Sequence, residues 1–324
     1  MAFLVGPESA LAADSARALN WVGPPIGVIG DMARHRGDVV LAYRFHRQSF
    51  SGLMNGTTRL EGSLPGFDVK PTSLDKDHHL FEVLWAPFEQ MTVSAILPYV
   101  QNEMTQIIQN TGESYKTTSG GFGDLEFAIL HRVFSTETSR LHLNLALSFP
   151  TGSTTESQVT RVSPGVIERL PYVMQLGSGT VDLKPGATYN GLWKRLYWGG
   201  QVGGVLRAGT NSQGYTLGDA YAVTGWVGAT GSDWFAGSFR LDWNQWFNIE
   251  GQDELMNPLQ SPTEDPQLQA GQRLDVLLGI DLFLGGRLKG TRISLEGGCP
   301  VYQSLEGPQL RTSWILTAGV HYAL

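Results

Sequence analysis

The sequence predicts an all-β protein, a transmembrane antiparallel up-and-down β-barrel of about 12 strands with short periplasmic turns and long extracellular loops. Three observations carry that expectation: period-two alternation of apolar and polar residues, connections that alternate short and long, and runs long enough to cross a bilayer as tilted strands. Composition narrows the classes further. Only 16% of the 324 residues are charged, 40 are Gly, 10% are aromatic, and the net charge is −7. A disordered chain is excluded, because 41% hydrophobic residues with nine Trp can bury a sizeable core. Cys299 stands alone, which excludes a disulfide scaffold. The acidic balance argues against nucleic acid as a partner, and no stretch of about 18 uncharged apolar residues provides a spanning helix.

The elements follow in order. Residues 1–13 end in Ala10-Leu11-Ala12-Ala13, which resembles a signal-peptidase site, yet Pro7 and Glu8 interrupt the apolar stretch and no basic residue precedes it. A signal-peptide remnant and an ordinary start are both open readings. Residues 14–37 lie outside the sheet, and Pro24-Pro25 preclude a long helix there. This segment either plugs the lumen or lies beneath it.

Residues 38–324 read as the barrel. In the first strand Val39, Leu41, Tyr43 and Phe45 share one face, and Val40, Ala42, Arg44 and His46 the other. The full set of candidate strands is 38–48, 79–88, 91–100, 120–134, 141–150, 172–188, 192–208, 218–229, 233–248, 271–284, 290–299 and 312–324. The clearest run sets Leu141, Leu143, Leu145, Leu147 and Phe149 against His142, Asn144, Ala146 and Ser148. Short turns are expected at 88–90, 135–140, 189–191, 229–233 and 285–289, and long loops at 50–77, 101–119, 151–171, 209–217, 251–270 and 300–311.

A soluble barrel with a dry core gives the same alternation with its faces swapped, so the choice rests on other features. The runs match the roughly 9–11 residues that cross a bilayer at a tilt. Trp85, Tyr99, Trp198, Trp243, Trp314 and Tyr322 stand near strand ends on the apolar face, where interfacial girdles belong. The last run reaches Leu324, and in a bilayer its backbone groups need the first strand as partner. The expected location is therefore the outer membrane of a Gram-negative cell, with its lipid as first partner. On the opposite face alternation places Arg44, Glu82, Asp124, Glu126, Arg132, Asp182, Lys184, Arg207, Arg240, Asp242, Asp275, Asp281, Arg292 and Glu296. An Arg or Lys on the lipid face at mid-depth costs about 2–4 kcal/mol, so these residues are expected to line a lumen. There they either neutralise one another in a filled barrel or form the walls of a conduction path.

Several segments carry a family resemblance. Pro25-Ile26-Gly27-Val28-Ile29-Gly30-Asp31 is followed by Gly37-Asp38 and Tyr43-Arg44-Phe45. Further on come Pro98-Tyr99-Val100, Gly121-Phe122-Gly123-Asp124-Leu125 and Ser148-Phe149-Pro150-Thr151-Gly152-Ser153. Gln175-Leu176-Gly177-Ser178-Gly179-Thr180 then precedes Asp182, Pro185 and Tyr189. In this order they resemble the outer-membrane barrels labelled "meta-pathway of phenol degradation", or simply "transporter", over nearly the whole chain. The resemblance implies an outer-membrane barrel with an uptake or channel role, often encoded near genes for degrading aromatic compounds. Two departures stand out. Met32-Ala33-Arg34-His35 replaces a Met/His-rich continuation, which removes the basis for a metal role there, and Leu324 replaces a terminal Phe. Recognition by the barrel-insertion machinery then rests on Tyr322 and the alternating face behind it.

Other chemistry finds little support. His78-His79 beside Asp77 cannot chelate from one regular strand, because neighbours point to opposite faces; the pair reads as loop-edge polarity. His46, His142 and His321 share the inward face, and closure of the first and last strands makes His46/His321 a candidate metal or proton-sensing pair. No G-x-S-x-G is present, and the outward His131 has no Ser partner in register. Gly121-Phe122-Gly123 and Gly177-Ser178-Gly179 open no helix, so a phosphate-loop reading fails. No catalysis, cofactor or metal is expected. The leading expectation is a passive channel for small solutes, aromatic compounds among the candidates, with Trp226, Trp234, Trp246 and Phe283 as candidate lumen aromatics, of which Trp234 and Trp246 fit a girdle equally well. Two alternatives stay open: a plugged barrel whose loops (104–119, 153–160) act as an adhesin or partner-binding surface, and a soluble β-sheet binding protein.

Overall fold

The computed structural model describes residues 22–30 and 35–324. The sheet opens with β1 (Val39–Gly56), β2 (Thr58–Leu60), β3 (Val69–Phe88) and β4 (Met91–Ile108). It continues through β5 (Ser114–Phe122), β6 (Leu125–Ser135) and β7 (Ser139–Phe149), followed by the short β8 (Ser157–Val159) and β9 (Ile167–Arg169). After a 3₁₀ turn at Tyr172–Met174 come β10 (Val181–Trp193), β11 (Leu196–Ala208), β12 (Tyr215–Thr216), β13 (Ala220–Ser232) and β14 (Phe235–Trp246). The chain finishes with β15 (Glu250–Gly251), 3₁₀ turns at Pro262–Glu264 and Pro266–Leu268, β16 (Gly271–Phe283), a further such turn at Gly286–Leu288, and β17 (Thr291–Ala323).

Eleven of these strands form a closed antiparallel ring in the order β17-β16-β14-β13-β11-β10-β7-β6-β4-β3-β1, with β2 and β5 outside it. Closure is direct: β1 pairs with β17 from Val40↔Ala323 to Gly56↔Leu305. Among the described residues there is no α-helix, and so no helix long and apolar enough to cross a membrane.

The two faces of the ring settle the choice that alternation left open. Leu143 and Leu145 are each 49% exposed on the outside, as Trp85 is at 51%, whereas Glu296 and Asp275 are fully buried on the inside. Apolar residues out and charges in is the inverse of a soluble barrel, and a continuous apolar ring of this kind is a lipid-facing surface. The six expected girdle residues all lie on it. Along β1, Tyr322 pairs with Leu41 and Trp314 with Ser49. Those eight residues span about 27 Å of strand, or about 20 Å of membrane once the strand tilt is allowed for.

Several expected boundaries are corrected. The loops expected at 50–77 and 101–119 are largely strand, because β1, β3 and β4 run past the apolar belt to Gly56, Val69 and Ile108. Beyond the belt the outer face turns polar, with Arg47 on Asp75 at 3.0 Å and Lys116 on Glu103 at 2.5 Å, and apolar alternation disappears without ending the ladder. His78 and His79 thus sit within β3 rather than at a loop edge. The turn expected at 189–191 is interior to β10, and the reversal comes at Lys194-Arg195, where Lys194 takes φ 56°. A two-residue reversal with positive φ matches the twist of the flanking strands. The run expected at 172–188 begins only at Val181, and that expected at 120–134 is broken at Gly123-Asp124. The runs expected at 290–299 and 312–324 both form, and the loop expected between them is strand as well, so that β17 is continuous; its first part pairs with β16 and its second part with β1.

Placing a guanidinium at the centre of the lipid-facing run of β7 isolates this reading. Leu145→Arg is expected to lower unfolding free energy by about 2–4 kcal/mol in urea titrations in lipid vesicles. Ala146→Ser, one residue along on the inner face, is expected to change it by less than about 1 kcal/mol.

Candidate functional site

The lumen has a floor, charged walls and a cap. Residues 22–30 make the floor, crossing the barrel at its turn end. On one wall Arg292 Nη2 donates to the Pro24 carbonyl at 2.7 Å, and the Gly27 N–H donates to Glu296 Oε2 at 3.1 Å. On the far wall the Gly30 carbonyl accepts from Asn144 Nδ2 at 3.1 Å and lies 3.0 Å from His142 Nε2. Gln201 Nε2 donates to the Ile29 carbonyl at 2.9 Å. Val22 and Val28 pack into an apolar cluster with Leu192, Tyr197, Trp226, Ala236 and Phe283. Residue 27 must be glycine for this fit: a Cβ there would stand 2.2 Å from Glu296 Oε2 and 2.3 Å from Arg240 Nη2. Of the residues expected to make up an N-terminal segment over 14–37, positions 14–21 and 31–34 lie outside the described residues, as does the expected remnant at 1–13.

The walls are built from opposite charges on the same strand, on adjacent strands and across one intervening strand. Arg44 on β1 pairs with Glu82 on β3, both almost fully buried. Lys184 meets Glu126 at 2.5 Å, and Arg207 pairs with Asp182. Arg240 makes two bonds to Glu296, Nε to Oε1 at 2.9 Å and Nη2 to Oε2 at 2.8 Å, while its Nη1 lies 3.3 Å from Asp242. Asp281 receives Arg292 at 2.9 Å, and Asp275 receives Arg273 Nε at 2.8 Å. Arg132 lies opposite His142 toward the turn end. The structure therefore brings most of the expected lumen residues together as pairs. Pairing is what lets them be buried, since an isolated charge inside would cost far more than the pair.

Asp124 does a different task. Its Oδ1 accepts the Gly152 N–H at 2.9 Å, and its Oδ2 accepts Ser178 N–H at 2.7 Å and Ser178 Oγ–H at 2.9 Å. Three of the segments that carry the family resemblance thus meet at one carboxylate. This junction breaks β5 from β6 and folds residues 150–180 inward, so that Ser119 Oγ reaches the Met174 carbonyl at 2.6 Å. The cap follows from that fold. Tyr172 and Tyr215 meet edge-on at 4.9 Å and pack with Ile249 and Met256, and Arg169 pairs with Asp253 at 3.0 Å. Glu264 is buried in the same cap and accepts the Asn257 N–H at 2.9 Å. Burial pushes its carboxyl up to about 7, and the nearby Glu168 adds to the rise.

Between floor and cap lies a cavity of about 630 Å³, bordered by a chamber of about 410 Å³ beneath the cap. Of the expected lumen aromatics, Trp226 and Phe283 belong to the floor, and Trp246 borders the outer chamber with its Nε1–H on the Gln269 carbonyl at 2.7 Å. Trp234 is 62% exposed and contributes nothing to the lumen. The His46/His321 pair does not form. Register sets His46 opposite Thr317 and His321 opposite Ala42, four residues apart, or about 13 Å along the strand. His46 Nδ1 instead lies 2.9 Å from Thr317 Oγ1, and its ring faces His78 at 6.4 Å. Among the described residues no group of three or more His, Cys, Asp or Glu is placed to hold a metal. Arg273, Lys76 and Gln201 also line the lumen, and none was expected there. Lys76 falls in what reads as a loop, while continuing the parity of Glu82 back through His78 would have placed it inside.

No family model matches the chain, and no curated protein matches it significantly. Solved structures do. A crystal structure of an outer membrane channel from Pseudomonas putida F1 superposes with TM-score 0.65 at 10% identity, covering 90% of this chain and 97% of that one. The fold is that of an outer-membrane β-barrel. The transport unit of the autotransporter AIDA-I from Escherichia coli gives TM-score 0.49 at 9% identity, covering 98% and 99% of the two chains. The CymD monoaromatic hydrocarbon channel gives 0.41 at 8%, covering 99% and 94%.

Two outcomes follow from the site. Arg240→Met leaves Glu296 buried without its guanidinium and is expected to lower the unfolding free energy of the refolded barrel by about 3–5 kcal/mol in urea titrations, whereas Arg240→Met with Glu296→Leu recovers most of the loss. The second concerns Glu264, whose folded value lies above the ordinary 4.5. The folded state then holds the proton more tightly, so cap stability is greatest below about 4.5, falls as pH rises toward 7 and levels off above it. Protease resistance of residues 250–270 is expected to decline over that window, and Glu264→Gln to flatten the decline.

Proposed function

We propose that this chain is a channel of the Gram-negative outer membrane that passes small solutes by passive diffusion through a charged lumen, and that it belongs with the "meta-pathway of phenol degradation" barrels. The observation that carries this reading is the cavity of about 630 Å³ held open between floor and cap, walled by fixed opposite charges. A barrel that served only as a scaffold would fill that volume with side chains, as the smallest barrels do. Instead Arg207, Lys184 and Asp242 border open space, which suits polar and ionic solutes. Trp246 and Tyr172 at the outer chamber add apolar surface for aromatic ones.

Parity supports twelve crossings rather than eleven. A ring joined by antiparallel pairs alone needs an even number of passages, so one element must reverse within the ring. β17 reaches both neighbours around Leu305, and the Gly297 Cβ position lies 3.8 Å from the Ile315 carbonyl, which fits two arms of one hairpin. In this reading residues 22–30 narrow the pore at its periplasmic end, the cap narrows it outside, and the barrel-insertion machinery reads the outward residues ending at Tyr322.

A second reading rests on the floor. Residues 22–30 are bonded to Arg292, Glu296, Asn144 and Gln201, and that many anchors fit a plug as well as a constriction, leaving the loops as the working surface. Planar-bilayer recording separates the two, with heat-modifiable mobility as the folding control. Wild type is expected to give small, discrete, salt-dependent steps, and Gly27→Leu, which drives a side chain into Glu296 and Arg240, larger ones. A silent wild type that opens only as Gly27→Leu would mean a plugged barrel, and silence in both would move the function to the loops.

A further inference from the structure

Among the described residues that border the central cavity, Lys76 is the cation without an ion pair. It stands on the inner face of β3, bordering both the central cavity and the outer chamber. Cross-strand register places the neutral amides Gln48 and Asn102 directly opposite it. The carboxylates beside it in sequence, Asp75 and Asp77, point outward onto Arg47, at 3.0 and 3.5 Å. Every other cation bordering the central cavity has a carboxylate partner: Arg44, Lys184, Arg207, Arg240 and Arg273 each form an ion pair. Among the described residues, Lys76 alone of these has neither an ion pair nor a hydrogen bond to its ammonium.

An ammonium facing an enclosed space without a counter-ion attracts an anion more strongly than it would in bulk water. The space above Lys76 sets what that anion can carry. The outer chamber, about 410 Å³, is walled by Phe50, Leu74, Val173, Leu217, Trp246 and Leu310, and Lys76 stands at its edge. A volume of this size is that of a small-molecule site; the other two cations on its border, Arg207 and Arg273, already hold Asp182 and Asp275, which leaves Lys76 as the charged anchor to fix orientation.

We propose that the outer lumen binds small monocarboxylates with an apolar body, the carboxylate on Lys76 Nζ and the body against Phe50, Leu217 and Trp246. The proposal deepens the channel reading by naming a solute class, and it rests on that reading only for the step of passage. A bare inorganic anion or acetate leaves the chamber unfilled, a neutral aromatic leaves the ammonium without a partner, and a dicarboxylate brings a second charge to a chamber whose other cations, Arg207 and Arg273, are already paired.

Titration calorimetry on the full refolded chain in detergent, with benzoate as probe and acetate, benzyl alcohol and phthalate as comparisons, tests binding without any need for conduction. Benzoate is expected to bind best. Lys76→Gln is expected to weaken it at least about tenfold, the loss of one charge-assisted hydrogen bond, while Lys76→Arg retains most of it. Gln48→Glu, which sets a carboxylate opposite the intact Lys76, is expected to cause the same fall and serves if Lys76→Gln does not fold. Arg47→Gln, on the outer face, is expected to leave binding unchanged. Equal benzoate affinity in wild type and Gln48→Glu, or binding of benzyl alcohol as tight as that of benzoate, would overturn the proposal even in a conducting channel. Lys76-dependent binding in a barrel that stays silent in bilayers would uphold the site and overturn the channel reading instead.

Discussion

Backbone pairing between β1 and β17 is the contact on which the rest of the molecule depends. In hydrocarbon each unpaired N–H or C=O costs on the order of several kcal/mol, so a spanning sheet can have no open edge. The ladder from Val40↔Ala323 to Gly56↔Leu305 removes both edges at once. Once the sheet is closed, side-chain direction ceases to be free. Every second residue meets lipid, every other one enters a lumen too narrow to hydrate all of them as bulk water would, and a slip of one residue would exchange the two sets.

The charge pairs follow from that confinement. Glu296 is fully buried and accepts from Arg240 and from the floor, so one carboxylate ties β14, β17 and residue 27 together. Asp124 does the equivalent at the loop end, binding Gly152 and Ser178 and so turning a long connection inward as a cap. Both carboxylates exchange solvent for fixed donors and thereby position segments that no sheet ladder holds. Buried ion pairs of this kind add little stability compared with apolar replacements of the same volume. Their retention here is better understood as specification: they dictate where floor and cap sit, and hence where space is left between them.

Much of this was legible in the sequence, and the failures have physical causes. Alternation located β7 and β16 to within a residue or two, because the outer face carries five successive apolar residues in each, Leu141 to Phe149 and Leu274 to Leu282. It failed above the belt, where Ser51, Asp75 and Glu103 occupy outer positions of strands that continue: a ladder needs paired backbone, whereas a pattern needs contrasting faces. Lys76 was lost for that reason, and Arg273 because it stands at the start of β16, before the alternation becomes evident. The His46/His321 pair failed on register, which alternation leaves undetermined; parity gives the face of a residue and never its height. The floor carried no periodicity at all. Its signals were Pro24-Pro25 and the motif from Pro25 to Asp31 that carries the resemblance, and what Pro24 and Gly27 do depends on side chains some 210 to 270 positions further along the chain.

Those distant contacts also bear on how solute passage and folding constrain each other. The floor is held by the packing of Val22 and Val28 and by hydrogen bonds to wall residues, of which Arg292 and Glu296 are themselves paired within the wall. Breaking a floor contact leaves the wall pair intact, so the segment can be displaced without exposing an unpaired buried charge. The reverse does not hold. Removing a wall residue such as Arg240 strands Glu296 and loosens residue 27 together. The arrangement therefore places the weak links between segment and wall and the strong ones within the wall. Variation in the floor is then free to tune the width of the pore, while variation in the wall charges registers first as a loss of the barrel.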